Sequence, residues 1–226
     1  MTAWLGIATV GLGWGMARIS MNKAVHGAVR RDLLRFLGAL DAFPAGDHKR
    51  AGQLARAWAN FDAQLTDHHE SEREIVWPAL GAIGVSAQLL ATMDAEHDNV
   101  AGALAGSRSA MVRLKASAFA TDAAAARAAM THLQEVTIAH FEHEEAEVEP
   151  TTKAHRDAPE VHEMAKKFAK RLTPAKGGRF IAWVLDGASE EEKAAVTREI
   201  PGPVVTIIGG IFGMPYRRRI ASVWMT

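Results

Sequence analysis

The sequence predicts an all-α fold: an up-and-down four-helix bundle over residues 21–156, with an apolar segment before it at 1–20 and a mainly helical extension after it at 157–226. Three observations predict it. Apolar residues recur at three- and four-residue steps in four successive segments, which is the signature of amphipathic helices. Short clusters of Pro, Gly and capping residues separate those segments, as the tight connections of an antiparallel bundle require. No stretch shows sustained period-two alternation or an Asn-Gly hairpin signal, so strands are not expected.

In the first segment Val25, Val29, Leu33, Leu37 and Leu40 fall on one helical face. Phe43, Pro44 and Gly46 break the pattern, and Asp47 is placed to cap the next helix. The second helix carries Leu54, Trp58, Phe61, Leu65 and Ile75, and runs to Pro78 and the glycines at 81 and 84. The third carries Leu90, Met93, Val100, Leu104, Met111 and Leu114, and ends before Thr121 and Asp122, which offer a new cap. The fourth carries Met130, Leu133 and Thr137, then an acidic run to Pro150. In the extension, Ser189 followed by three glutamates has the N-cap and acidic first turn of a helix that Pro201 stops after Ile200.

Composition narrows the chemistry. Of 226 residues 48% are apolar and 23% charged, enough for one substantial core. The 26 Lys and Arg balance 26 Asp and Glu, so no global field steers the chain to nucleic acid, and no nucleic-acid partner is expected. With no cysteine there is no disulfide, thiolate metal site, iron–sulfur cluster or cysteine nucleophile. A cytoplasmic location is the expectation from these features. Residues 1–17 are free of charge and contain Trp4 and Trp14. At roughly 1.5 Å per helical residue they reach about 25 Å, short of a comfortable bilayer span. The segment is therefore expected to be a tail or a mis-set translation start, with weak membrane contact as the alternative.

Ten His remain for metal or acid–base work, and their placement is informative. His26 lies one turn before Val29, His68 one turn after Leu65, His97 one turn after Met93 and His140 just after Thr137, so every bundle helix aims a His inward. Glu72 and Glu144 stand four residues beyond His68 and His140, on the same faces. Two residues on antiparallel neighbours share a level when they are equidistant from the turn between them. The midpoints of successive His pairs fall at 47, about 82 and about 118, on the turns assigned from Pro, Gly and caps alone. The four His and two Glu therefore form one layer. A lone inward His is commonly a core residue bonded to a neighbour, but such a layer is costly to bury without a cation, since an unpaired buried polar group costs on the order of 1–3 kcal/mol. Nitrogen and oxygen donors together suit iron, manganese or zinc. His48, His132, His155 and His162 lie off the stripes and are expected at the surface.

The segments around His26, His68-His69-Glu70-Ser71-Glu72, Glu96-His97 and His140-Phe141-Glu142-His143-Glu144 resemble the hemerythrin-like, or HHE cation-binding, domains over about residues 21–156. The resemblance implies a non-haem site for two iron ions. In it Glu72 and Glu144 bridge the metals, His26, His68, His97 and His140 are terminal ligands, and His69 is the additional candidate. Hemerythrins that carry oxygen have two ligand His one turn apart on the third helix, whereas Met93 and Ala101 flank His97 here at that distance. A ferritin-like site would need Glu-x-x-His twice, and the chain has none. A haem ligated by His97 or His26 would leave two inward glutamates unused.

Function then divides three ways: a protein that binds or senses oxygen, nitric oxide or iron itself; an enzyme that consumes peroxide or nitric oxide; or a structural metal bundle. A small diatomic or peroxide ligand is the expected partner in the first two. The basic residues Lys166, Lys167, Lys170, Arg171 and Lys176, the apolar stretch 203–214 and Arg217, Arg218 and Arg219 read as a cover over the bundle or a partner subunit, with a basic, apolar interfacial contact with membrane as the alternative.

Overall fold

The computed structural model describes residues 19–225, so the expected apolar segment lies, apart from its last two residues, outside the described part of the chain. The four bundle helices are α1 (Met21–Asp41), α2 (His48–Ser71), α4 (Ala87–Ser117) and α5 (Ala120–Glu147), with short α3 (Trp77–Ala82) closing the second arm and no strand among the described residues. Ser20, Asp47 and Ser86 cap α1, α2 and α4, each side chain accepting a backbone N–H from the first turn. Asp47 thus does what its sequence context predicts. The fourth bundle helix starts differently from the expectation: its N-cap is Phe119, without a side-chain cap, and Asp122 instead accepts a hydrogen bond from Ser117. Ala118 ends α4 in the left-handed region at φ 53° and its carbonyl accepts from the Gly46 N–H at 2.8 Å, which ties the first and third turns together.

The second arm is not one regular helix. Between α2 and α3 the chain forms a π-turn over Glu72–Val76, with the Trp77 N–H bonding back five residues to the Glu72 carbonyl. Pro78 supplies a reason, because it lacks an N–H and its ring collides with the carbonyl four residues back in a regular α-helix.

α1 packs on α5, α5 on α4 and α4 on α2, the adjacency of an up-and-down bundle. Leu33, Leu54, Phe61, Leu65, Met111, Leu114, Met130 and Leu133 are buried on the predicted stripes, while on α1 Phe36 is buried and the expected Leu37 only partly so. Each such side chain contributes roughly 2 kcal/mol of apolar burial.

The rest of the chain forms α6 (Glu149–Ala154), α7 (Pro159–Arg171), α8 (Pro174–Val184), α9 (Glu190–Glu199), α10 (Gly202–Phe212), α11 (Met214–Arg219) and a 3-10 turn at Ala221–Met225. Ser189 and Glu192 form a reciprocal capping box at α9, as the sequence predicts. The extension covers the outer side of α1, burying Trp183, Val184, Ala195, Val196 and Tyr216 against it. Its polar centre is Asp32 on α1, which accepts from Trp183 Nε1 at 2.9 Å and from Arg35 at 3.0 Å. Arg35 also bonds Asp186 at 3.0 Å, and the Tyr216 hydroxyl donates to the same carboxylate at 2.9 Å. Gly187, at φ +75°, brings this loop so close that an added Cβ would sit 3.0 Å from the Arg35 guanidinium.

Candidate metal centre

All six predicted residues converge in one layer of the bundle, His68 partly and the other five fully buried: His26 from α1, His68 and Glu72 from the second arm, His97 from α4, His140 and Glu144 from α5. His69 joins them. The seven side chains form two adjoining groups, His69, Glu72, His97 and His140 in one and His26, His68, Glu72 and Glu144 in the other, with the donor atoms of each group within 4.8 Å of one another. Consecutive positions on a helix differ by about 100°, so His68 and His69 can serve different groups from one backbone. Glu72 belongs to both: Oε1 lies 3.3 Å from His68 Nε2 and Oε2 lies 3.3 Å from His97 Nε2. Glu144 belongs to the second group, with Oε2 at 3.2 Å from His26 Nε2 and Oε1 accepting from Asn22 at 3.0 Å. His48, His132, His155 and His162 are exposed, as expected.

The imidazoles are held from behind. His26 Nδ1 is 2.8 Å from Glu145, itself bonded by Arg30, and His140 Nδ1 is 3.0 Å from Glu96. A carboxylate at Nδ1 assigns the proton to that nitrogen and turns the Nε2 lone pair toward the centre. The ring of His26 stacks on Phe141 at 3.7 Å, and His97 is stacked between His69 at 4.2 Å and Trp77 at 5.5 Å. Glu72 and Trp77 both reach His97 because the π-turn brings residues five apart onto one side.

The centre is short of positive charge. Nε2 of His69, His97 and His140 and Oε2 of Glu72 are buried without a hydrogen-bond partner in the described structure. Nε2 of His26 and of His68 stand 3.2 Å apart, lone pair toward lone pair when both Nδ1 atoms carry the proton. A cation between such atoms satisfies every one of them, so the donor set fits a metal.

Electrostatics tell the same story. Burial, followed by the neighbouring imidazoles, pulls His68 and His69 well below the ordinary histidine value. Burial and then His140 bring His97 down to about 3, and burial lowers His140 against the pull of Glu96. These rings are neutral at pH 7, with lone pairs available. Burial and then the Glu144 charge push Glu72 well above the usual carboxylate range. Glu144 meets the same burial, but the contact with His26 and the surrounding imidazoles hold it down to about 2. His26 is raised despite its burial, by Glu144 and Glu145.

A family model, the hemerythrin HHE cation-binding domain, matches residues 18–152. The chain belongs to the hemerythrin HHE family. No curated protein and no solved structure matches it. Within this HHE domain the third helix brings one imidazole, His97, with fully buried Met93 a turn before it, and the second arm brings two. Sequence reasoning did not single out Glu96, Glu145 or Asn22 as supports. Glu96 and Glu145 each adjoin an expected ligand in the chain, a signal that an acidic neighbour can reach the back of an imidazole on the next helix.

Proposed function

We propose that the chain is a non-haem di-iron protein that reversibly binds or senses a small molecule, oxygen or nitric oxide, or iron itself. The observation that supports it best is the pair of adjoining donor groups sharing Glu72, built from five imidazoles and two carboxylates inside the bundle. His69, His97 and His140 with Glu72 would hold one iron, and His26 and His68 with Glu72 and Glu144 the other. Two irons held there would supply Lewis-acid and redox chemistry toward a small diatomic ligand. The chain's own residues orient the rings through Glu96 and Glu145, keep bulk water out with Phe141, Trp77 and Met93, and keep the imidazoles of His68, His69, His97 and His140 neutral. Manganese or zinc in the same donors is the competing metal content.

One observation favours the enzymatic alternative, consumption of peroxide or nitric oxide. Half-exposed His143 bonds Glu96 at 2.7 Å, and Glu96 in turn bonds His140, a chain of contacts from the surface to a metal-facing ring.

The test is anaerobic iron loading of the full chain, elemental analysis, and absorption spectra before and after air or nitric oxide. Two irons per chain with a reversible ligand band supports binding. A steady metal-dependent consumption that His143→Ala removes would favour the enzyme. Zinc alone, with no spectral response, sinks both readings.

A further inference from the structure

The site leaves the far end of the extension unexplained. Among the large apolar side chains left exposed in the described residues, four of eight are Ile207, Ile211, Phe212 and Met214, which lie on α10 and at the start of α11. α10 has no ionisable residue. Its other side is fixed: an added Cβ at Gly178 of α8 would lie 2.4 Å from Phe212 and 2.6 Å from the Ile208 carbonyl, and one at Gly209 2.8 Å from Ile181. α8 and α10 therefore pack backbone to backbone, and that contact turns Ile207 and Ile211, one turn apart, away from the protein.

Charge adjoins the apolar face directly. Arg217 closes the end of α10, donating to the carbonyls of Gly209 at 2.9 Å and Gly210 at 2.6 Å. Arg218 and Arg219 are exposed, and their guanidiniums have no carboxylate partner among the described residues. Residues 200–226 contain no Asp or Glu, and neither do residues 164–185, where four Lys and two Arg lie.

We propose that the outer face of α10 with Arg218 and Arg219 is a docking surface for an anionic membrane, on which α10 lies in the interfacial plane. Eleven residues of helix span about 16 Å, too short to cross the hydrocarbon. A short apolar face edged by arginine is suited to the boundary between headgroups and acyl chains. Charge decides against the other occupants. Residues 1–17 contain no carboxylate and so cannot neutralise the arginines. A second copy related by a two-fold axis sets this acid-free face against itself and brings like charges together. An anionic bilayer supplies both the apolar layer and the phosphates.

The experiment is vesicle flotation of the full chain with phosphatidylcholine alone and with added phosphatidylglycerol. The expected result is flotation only with phosphatidylglycerol, weakened by salt. Arg218→Gln/Arg219→Gln should lower the partition coefficient on the order of 30-fold, from about 1 kcal/mol per surface cation. Ile207→Ser/Ile211→Ser should lower it by at least about tenfold. Both variants change exposed side chains, and helical content by circular dichroism and the melting temperature should match the parent. No flotation with phosphatidylglycerol overturns the proposal. Flotation that both variants leave unchanged does so too, because binding then belongs to residues 1–17. A dimer in free solution that Ile207→Ser/Ile211→Ser abolishes assigns the face to a second copy, and also overturns it.

Discussion

α1 carries two buried polar residues six positions apart, His26 and Asp32, and their surroundings differ in kind. Asp32 has Trp183 and Arg35, and the Arg35, Asp186 and Tyr216 contacts extend around it until donors and acceptors meet. His26 faces an assembly in which acceptors outnumber donors: three other Nε2 atoms and a Glu72 oxygen have no partner. A network complete among its own members holds two parts of a chain together and has no need of a ligand. A network left with lone pairs converging on one point is stable only with something positive there, so burial of polar groups separates into architecture and binding according to whether the hydrogen bonds close.

Several measurements would break or sharpen that contrast. Glu72→Gln keeps the shape of the shared side chain and removes its charge from both donor groups. Metal affinity should fall by more than about 100-fold, with little loss of helical content. Retained stoichiometric metal on elemental analysis would show that the centre does not depend on Glu72. Asp32→Ala should act in the opposite sense, leaving metal content intact while costing about 2–4 kcal/mol in denaturant unfolding, because Trp183 Nε1 and Arg35 lose a buried acceptor. Loss of metal in that variant would join the two networks that the geometry keeps apart. Glu96→Ala removes the support behind His140 and should weaken metal binding by about 10–100-fold without changing the stability of the metal-free chain by a comparable factor.

The smallest effect concerns acid. Burial pushes the Asp32 carboxyl above its ordinary 3.8, against the opposing pull of Trp183 and Arg35. The folded chain then binds this proton more tightly than the unfolded chain, so the contribution of Asp32 to stability is greatest below about 4 and declines as pH rises through the raised value. Asp32→Asn removes that slope. In the chelated protein, the stability of the wild type relative to Asp32→Asn should therefore decrease from about pH 4 upward. A difference that stays flat with pH would mean that Asp32 titrates alike in both states.

The bundle was legible because its information is periodic: a helix of 21 residues repeats its burial pattern at Val25, Val29, Leu33 and Leu40, and chance does not sustain it. The layer of donors was legible for the same reason, since each expected ligand sits on an apolar stripe at one level. Glu96 and Glu145 were not, because they lie off those stripes, and only the packing of α4 and α1 against α5 brings them behind rings on the neighbouring helix. The Asp32 network was equally hidden. Its members are about 150 residues apart in the chain, and nothing near Asp32 announces that a Trp from the extension will cover it. The π-turn escaped because periodicity across 72–77 is too short to register one extra residue.

That extra residue has a consequence for how the gene tolerates change. In a regular helix Glu72 and Trp77 would point roughly 140° apart, and only one of them could reach His97. Arg73 and Glu74, within the turn, are exposed, so exchanging either for another helix-forming residue disturbs no buried packing. Deleting either one is a different event. It leaves Glu72 and Trp77 four positions apart, which ordinary helical spacing keeps within about 40° of each other, so the two reach one side without the π-turn. At this point the count of residues decides whether the helix bulges, so among related chains a deletion here should go with a regular helix and the full count with the π-turn.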